Sequence, residues 1–245
     1  METENRISNW NDPVPSAGAG AISITKNFVN SVMSYMAAAL AISGVMAYWF
    51  GTSEVLLSYL YNATGSLSIL GWIVMIAPFG LVLLMGFGYK KLSSTAMIAV
   101  FVFYALLMGM SLSFIFLAYT QSSIFITFFI TAATFGTMAV LGYTTQTDLT
   151  KMGSILIMAL IGLIIASVVN MFMQSGTMDY IISGIGVLVF TGLTAYDMQK
   201  IKQIGMVTDA TTEEGSKLAI MGALNLYLDF VNLFLFMLRF LGNRN

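Results

Sequence analysis

The stretch NLYLDFVNLF, residues 225–234, sets an aspartate and two asparagines inside an apolar run that extends from Leu218 to Leu241. A run of that length crosses a bilayer as a helix, because a crossing takes about 20 mostly apolar residues at 1.5 Å each. Asp229 is then a carboxylate in the hydrocarbon band. Inserting a charge there costs about 2.5 to 3.5 kcal/mol, so such residues face the bundle interior and mark a functional path.

The rest of the chain supports a membrane reading. Of 245 residues, 58% are hydrophobic and 9% are charged, whereas a soluble domain carries about 25% Asp, Glu, Lys and Arg. Seven stretches are long and apolar enough to span: 27–50, 66–89, 95–118, 124–143, 153–174, 181–201 and 218–241. They are too long and too continuous for barrel strands of about 9 to 11 alternating residues. The expected fold is all-α, a polytopic seven-helix transmembrane bundle occupying 27–242. Residues 1–26 hold Glu2, Glu4, Asp12, Pro13 and Pro15 and lack the cationic start and short apolar core of a signal peptide, so they read as a mobile polar tail.

Missing residue types exclude whole classes of chemistry. The chain has no cysteine and no histidine, which removes disulfides, thiolate catalysis, the Ser-His-Asp triad and His-ligated zinc. A net charge of −1 gives no electrostatic basis for nucleic-acid binding. The 19 methionines read as adaptable packing residues, because a soft-metal path would want His or Cys beside them. No cofactor is expected.

Orientation follows from the cations, which collect in short cytoplasmic loops. With the N-terminus inside, Arg6, Lys26, Lys90, Lys91, Lys151, Lys200, Lys202 and Lys217 fall on inner segments, and only Arg239 and Arg244 lie toward the outer side. The expected topology is N-terminus inside, C-terminus outside. Small residues, including Ala105, Gly109, Gly184, Gly186 and Gly192, are placed for close helix approach. Pro78 removes a backbone donor from the second span and kinks it.

All acidic residues fall in tails or loops by this reading except Asp197, in TAYDMQK near the inner end of the sixth span, and Asp229. Asn225, Asp229, Asn232 and Arg239 recur at spacings of 4, 3 and 7 residues, which return to one face of a helix. The last helix therefore carries a polar stripe that lines either a hydrogen-bonded interface or a water-filled passage. Counted from the inner loop, Asp197 is only a few residues deep, while Asp229 lies about 17 Å past Leu218 at 1.5 Å per residue. Whether they meet depends on helix tilt, or on a seventh helix that begins below the membrane, as the i, i+4 pair Glu213 and Lys217 would allow.

Three segments, GYTTQTDLTKMG (142–153), TAYDMQKIK (194–202) and ALNLYLDFVNLFLFMLRFLG (223–242), resemble signature segments of the Bax inhibitor family of transmembrane proteins, and the likeness spans all seven helices. The resemblance is to a bacterial member, which places the chain in an inner membrane. It implies a seven-helix fold with the last helix central, and a pH-sensitive Ca²⁺ leak in which Asp197 and Asp229 share a proton and transiently meet Ca²⁺. It also implies regulation of a membrane protease or cell-death partner as an alternative. Several family members carry an acidic residue in the second helix, whereas this chain has none between Leu67 and Gly88.

The chemistry can also be built from the residues. Two carboxylates close together in a low dielectric cannot both ionise easily, so the pair holds a proton. Protonated, the pair hydrogen-bonds and draws two helices together; ionised, it repels and attracts a hard cation. Ca²⁺ takes about 6 to 8 oxygen ligands, more than two Asp with Asn225 and Asn232 supply, which favours transit over storage. An intramembrane aspartyl protease also places Tyr-Asp in one helix and Asp in the next. Here LYLD lacks the Gly-x-Gly-Asp pattern and no proline follows Pro78, so the chain is not expected to be an enzyme. The topology is checked by reporter fusions: one at Asp209 reads cytoplasmic and one after Asn245 reads outside. A cytoplasmic C-terminal reporter would overturn the seven-span model.

Overall fold

In a computed structural model, residues 17–62 and 66–244 are described, with side chains from Ser23 onward. The helices among them are α1 (Ala17–Thr52), α2 (Glu54–Leu60), α3 (Ile69–Gly88), α4 (Ser94–Leu112), α5 (Ile115–Ala118), α6 (Gln121–Thr144), α7 (Thr150–Met173), α8 (Gly176–Gly205) and α9 (Glu213–Leu241). Seven of the segments are long and apolar enough to cross a membrane, α4 and α5 together forming one of them. The fold is an all-α polytopic bundle, and the chain is an integral membrane protein.

Local chemistry sets the helix ends. Ser53, Ser68, Ser93, Ser175 and Thr212 precede α2, α3, α4, α8 and α9, and each hydroxyl accepts an amide N–H of the first turn. One expectation is corrected. α1 begins at Ala17 rather than 27; residues 1–16 of the expected tail lie outside the described residues. The connection after α1 also contains the short helix α2, announced by the Ser53 cap and by Glu54 in its first turn.

The spans differ sharply in burial. In its most apolar window 67% of the residues of α9 are buried, against 6% of those of α7, so α7 is the most peripheral of the spans. α9 packs against α1, α4, α6 and α8, while α7 packs on α8 and α3 packs on α4. Tyr227 ties α9 to the first and third spans: its hydroxyl meets Ser43 Oγ at 2.7 Å, and that oxygen lies 2.9 Å from the carbonyls of Ala39 and Ala105.

Missing side chains permit the closest approaches. A Cβ on Gly109 would lie 2.5 Å from the Ser43 carbonyl oxygen, and one on Gly142 would collide with the Ala195 backbone. A Cβ on Gly136, in the same helix as Gly142, would meet nothing within 4 Å. Gly142→Val should therefore destabilise the fold by about 1 to 3 kcal/mol relative to Gly136→Val. Thermal unfolding in detergent measures this; equal midpoints would show that α6 and α8 do not approach through Gly142.

Candidate functional site

α8 and α9 run antiparallel in a register that can be followed along their length. Ile201 faces Gly222, Phe190 stacks on Phe236 with centroids 5.7 Å apart, and Tyr180 stacks on Phe240 at 4.4 Å. In that register the end of α8 at Gly205 falls near Ala219, so the first turns of α9 project beyond α8. This stagger removes the depth mismatch between the two aspartates. Asp197 and Asp229 lie within hydrogen-bonding reach of each other.

Asp229 is 5% exposed, and its Oδ2 has no hydrogen-bond partner among the described residues. Asp197 is half-buried. Both line a cavity of about 530 Å³ together with Asn225, Asn232 and Ser167. α7 supplies one apolar wall, and Phe79 of α3 faces the same space. An aromatic side chain therefore stands on the second span, in the helix where several family members carry an acid.

Three of the four stripe residues, Asn225, Asp229 and Asn232, line this cavity. Asn232 also donates from Nδ2 to the Leu228 carbonyl, one turn back, at 2.8 Å. Arg239 does not reach it. The next position on the stripe is Phe236, which closes that end by stacking on Phe190 over Gly186, where a Cβ would stand 2.6 Å from the ring. Beyond this plug Arg239 pairs with Asp179 at 3.3 Å, and Arg244 joins the same carboxylate at 3.4 Å. Helical periodicity places residues on one face and carries no information on where a bulky neighbour ends the passage.

Asp179 also corrects the reading that all other acids sit outside the helices. It occupies the first turn of α8, where the N-terminal dipole favours a carboxylate. Glu54, Glu213 and Glu214 stand in first turns of α2 and α9 in the same way. Glu213 accepts from the Ser94 amide and hydroxyl, each at 2.6 Å, and pairs with Lys217 at 3.8 Å.

The sequence reading missed how the segment around Asp197 is held. Gln199, two residues on, accepts from the Leu149 amide at 2.9 Å and donates to the Thr147 carbonyl at 2.8 Å. Lys202 donates to the Tyr143 carbonyl at 2.7 Å and lies over the Tyr143 ring. Gly153 leaves room for the Tyr196 ring. The segment 142–153 is thus a strap that fixes the rotation of α8 at Asp197. A buried glutamine beside an intramembrane aspartate was the available signal, since a buried amide needs partners.

Two other carboxylates, in connections between spans, stay outside any response near neutral pH. The Thr150 hydroxyl and amide hold the Asp148 carboxyl below its ordinary range. The Thr211 amide and hydroxyl do the same for Asp209. Both remain ionised well into the acid range.

Removing the amide of Gln199 frees the Leu149 N–H. Gln199→Ala should speed hydrogen exchange at Leu149 by about ten-fold, the equivalent of about 1.4 kcal/mol. Unchanged exchange across 144–150 would mean that the strap is held elsewhere.

Residues 25–245 match the family model described as inhibitor of apoptosis-promoting Bax1. An uncharacterized protein of Borreliella burgdorferi is 46% identical over 223 residues, covering 91% of this chain and 94% of the relative. An uncharacterized protein of Rickettsia prowazekii is 48% identical over 221 residues, covering 89% and 90%. The inner membrane protein YbhL of Escherichia coli is 40% identical over 220 residues, covering 89% and 92%. With the family model matched along nearly all of its membrane domain, the chain belongs to the Bax inhibitor family.

Proposed function

We propose that this protein is a proton-regulated Ca²⁺ leak of a bacterial inner membrane, with its N-terminus inside and C-terminus outside, and that it is not an enzyme. The observation that carries this reading is buried Asp229, its Oδ2 unpartnered among the described residues, beside Asp197 in a cavity with two asparagines. A purely structural lock between helices is served by amides, without the cost of an ionisable group. The inner-membrane name of the YbhL relative supports the location, and the pairing of Arg239 and Arg244 with Asp179 offsets two cations that fall on the outer side.

The chemistry runs as a two-state switch. With one proton between them, Asp197 and Asp229 hydrogen-bond and hold α8 against α9. Loss of that proton leaves two negative charges in a low dielectric, which repel each other and draw a hard cation into the cavity. Two carboxylates and two amides fall short of the 6 to 8 oxygens Ca²⁺ prefers, so water completes its shell and the ion moves on. Passage beyond the carboxylates requires the Phe190 and Phe236 rings to part, which makes their stack the second barrier. The sign of the pH response follows: flux rises as pH rises through the ionisation of the pair.

The description of the family as an inhibitor of an apoptosis-promoting factor favours a second reading, regulation of a membrane-protein partner, in which Asp209, Glu213 and Glu214, at the α8–α9 connection and the first turn of α9, form the docking surface. The two readings separate in liposomes containing only this purified protein, assayed for ⁴⁵Ca²⁺ uptake across a pH series. A leak moves Ca²⁺ with no partner or peptide present and ignores aspartyl protease inhibitors. Asp197→Asn and Asp229→Asn should each flatten the pH dependence, and the double variant should resemble a single one, because a shared proton makes the pair one unit. If both folded variants kept the parent midpoint and steepness, proton sensing by this pair would be abandoned. Peptide cleavage that disappears in Asp229→Asn would replace the leak by a protease.

A further inference from the structure

On the side of α9 turned away from Asp229 there is a second groove, of about 640 Å³. Its floor is Phe230, Val231 and Phe234, rotated about 100° to 200° around the helix from the carboxylate at 100° per residue. α1 forms one wall and α6 the other, and the short helix α5, which packs on both, closes one end.

Three observations fix the chemistry of the occupant. Both wall helices are membrane spans, so the groove lies within the bilayer and its mouth meets hydrocarbon. Its polar side chain at depth is Ser43, whose hydroxyl is already committed to Tyr227 and to the carbonyls of Ala39 and Ala105; a polar ligand or a water cluster would find no partner there. Polarity returns at the end of α1, where Tyr48 and Trp49 are half-exposed and Thr52 and Glu54 follow, a sequence of residues suited to the headgroup level. The groove thus has the polarity profile of a phospholipid. Gly44 lines it, and a Cβ there would meet nothing within 4 Å, so space for a chain is present without displacing protein.

We propose that this groove binds one acyl chain of a glycerophospholipid, with its ester and headgroup region beside Trp49 and Thr52. The chain fills the space between α1 and α6, and it lies directly on the helix that carries Asp229. This site is independent of the ion-leak reading and stands or falls separately from it.

The test uses the full chain in phosphatidylethanolamine and phosphatidylglycerol vesicles containing a phosphatidylcholine with a mid-chain diazirine. After photolysis, peptide mass spectrometry should find label on Val231 and Phe234, which are 3% and 6% exposed, as well as on the open face of α7. Gly44→Phe fills the groove and should abolish the floor label while leaving α7 labelled. Gly44→Cys, folded first and then alkylated with a phenylmaleimide, should give the same loss without relying on folding of the bulky variant; the chain has no other cysteine. An unlabelled floor beside a labelled α7, or a floor label that survives filling at residue 44, would overturn the proposal. So would disulfide-linked dimers of unmodified Gly44→Cys with the floor unlabelled, which would assign the groove to a second copy of the chain.

Discussion

A carboxylate held in the hydrocarbon band is the most expensive side chain this fold contains, and the contact between α8 and α9 is built around it. Asp229 cannot face lipid at a cost of about 2.5 to 3.5 kcal/mol, so the face of α9 that carries it turns inward. The surfaces around it then follow: Tyr227 reaches Ser43 on α1, Phe230 meets Phe128 and Phe135 on α6, and Phe236 stacks on Phe190 of α8. Contacts with α1, α4, α6 and α8 make α9 the most buried of the spans, while α7, which bears no ionisable side chain beyond its first turn, is the least buried.

The α8–α9 pair is secured at both ends by different chemistry. At the lysine-poor end Asp179 gathers Arg239 and Arg244, and the chain terminus is tied to the start of α6 by the Thr120 and Asn243 backbone and by Ser123. These ion pairs are exposed and weak one at a time; the backbone bonds give them fixed geometry. At the other end Gln199 and Lys202 bind carbonyls and an amide of the strap between α6 and α7. Between the two fastenings lies the cavity with its paired carboxylates. A rotation of α8 that separated Asp197 from Asp229 would have to break the hydrogen bonds of Gln199 and Lys202 to the strap, so the site is held by its surroundings as well as by the aspartates.

The cavity and the apolar groove lie on different sides of the same helix, and this gives α9 two environments at one depth. One side offers oxygen atoms to a cation or proton; the other offers rings and an unfilled position at Gly44 to hydrocarbon.

Much of this protein could be read along the chain. Seven crossings, the all-α class, the two intramembrane aspartates and the inward face shared by Asn225, Asp229 and Asn232 follow from hydropathy and from a period of 3.6 residues, both of which are local properties. Local signals also contained α2 and the first-turn acids, in the Ser53 cap and in Asp179 after Ser175. What only the tertiary structure decided is the register between helices: that Asp197 meets Asp229, that Phe236 ends the cavity before Arg239, that Gln199 grips the connection at Thr147 and Leu149, and that α1 and α6 leave a groove over Phe230. Register depends on which side chains are absent or bulky at facing positions, such as Gly186 beneath Phe236 and Gly142 against Ala195. A periodicity measured along one helix contains no term for the shape of its neighbour.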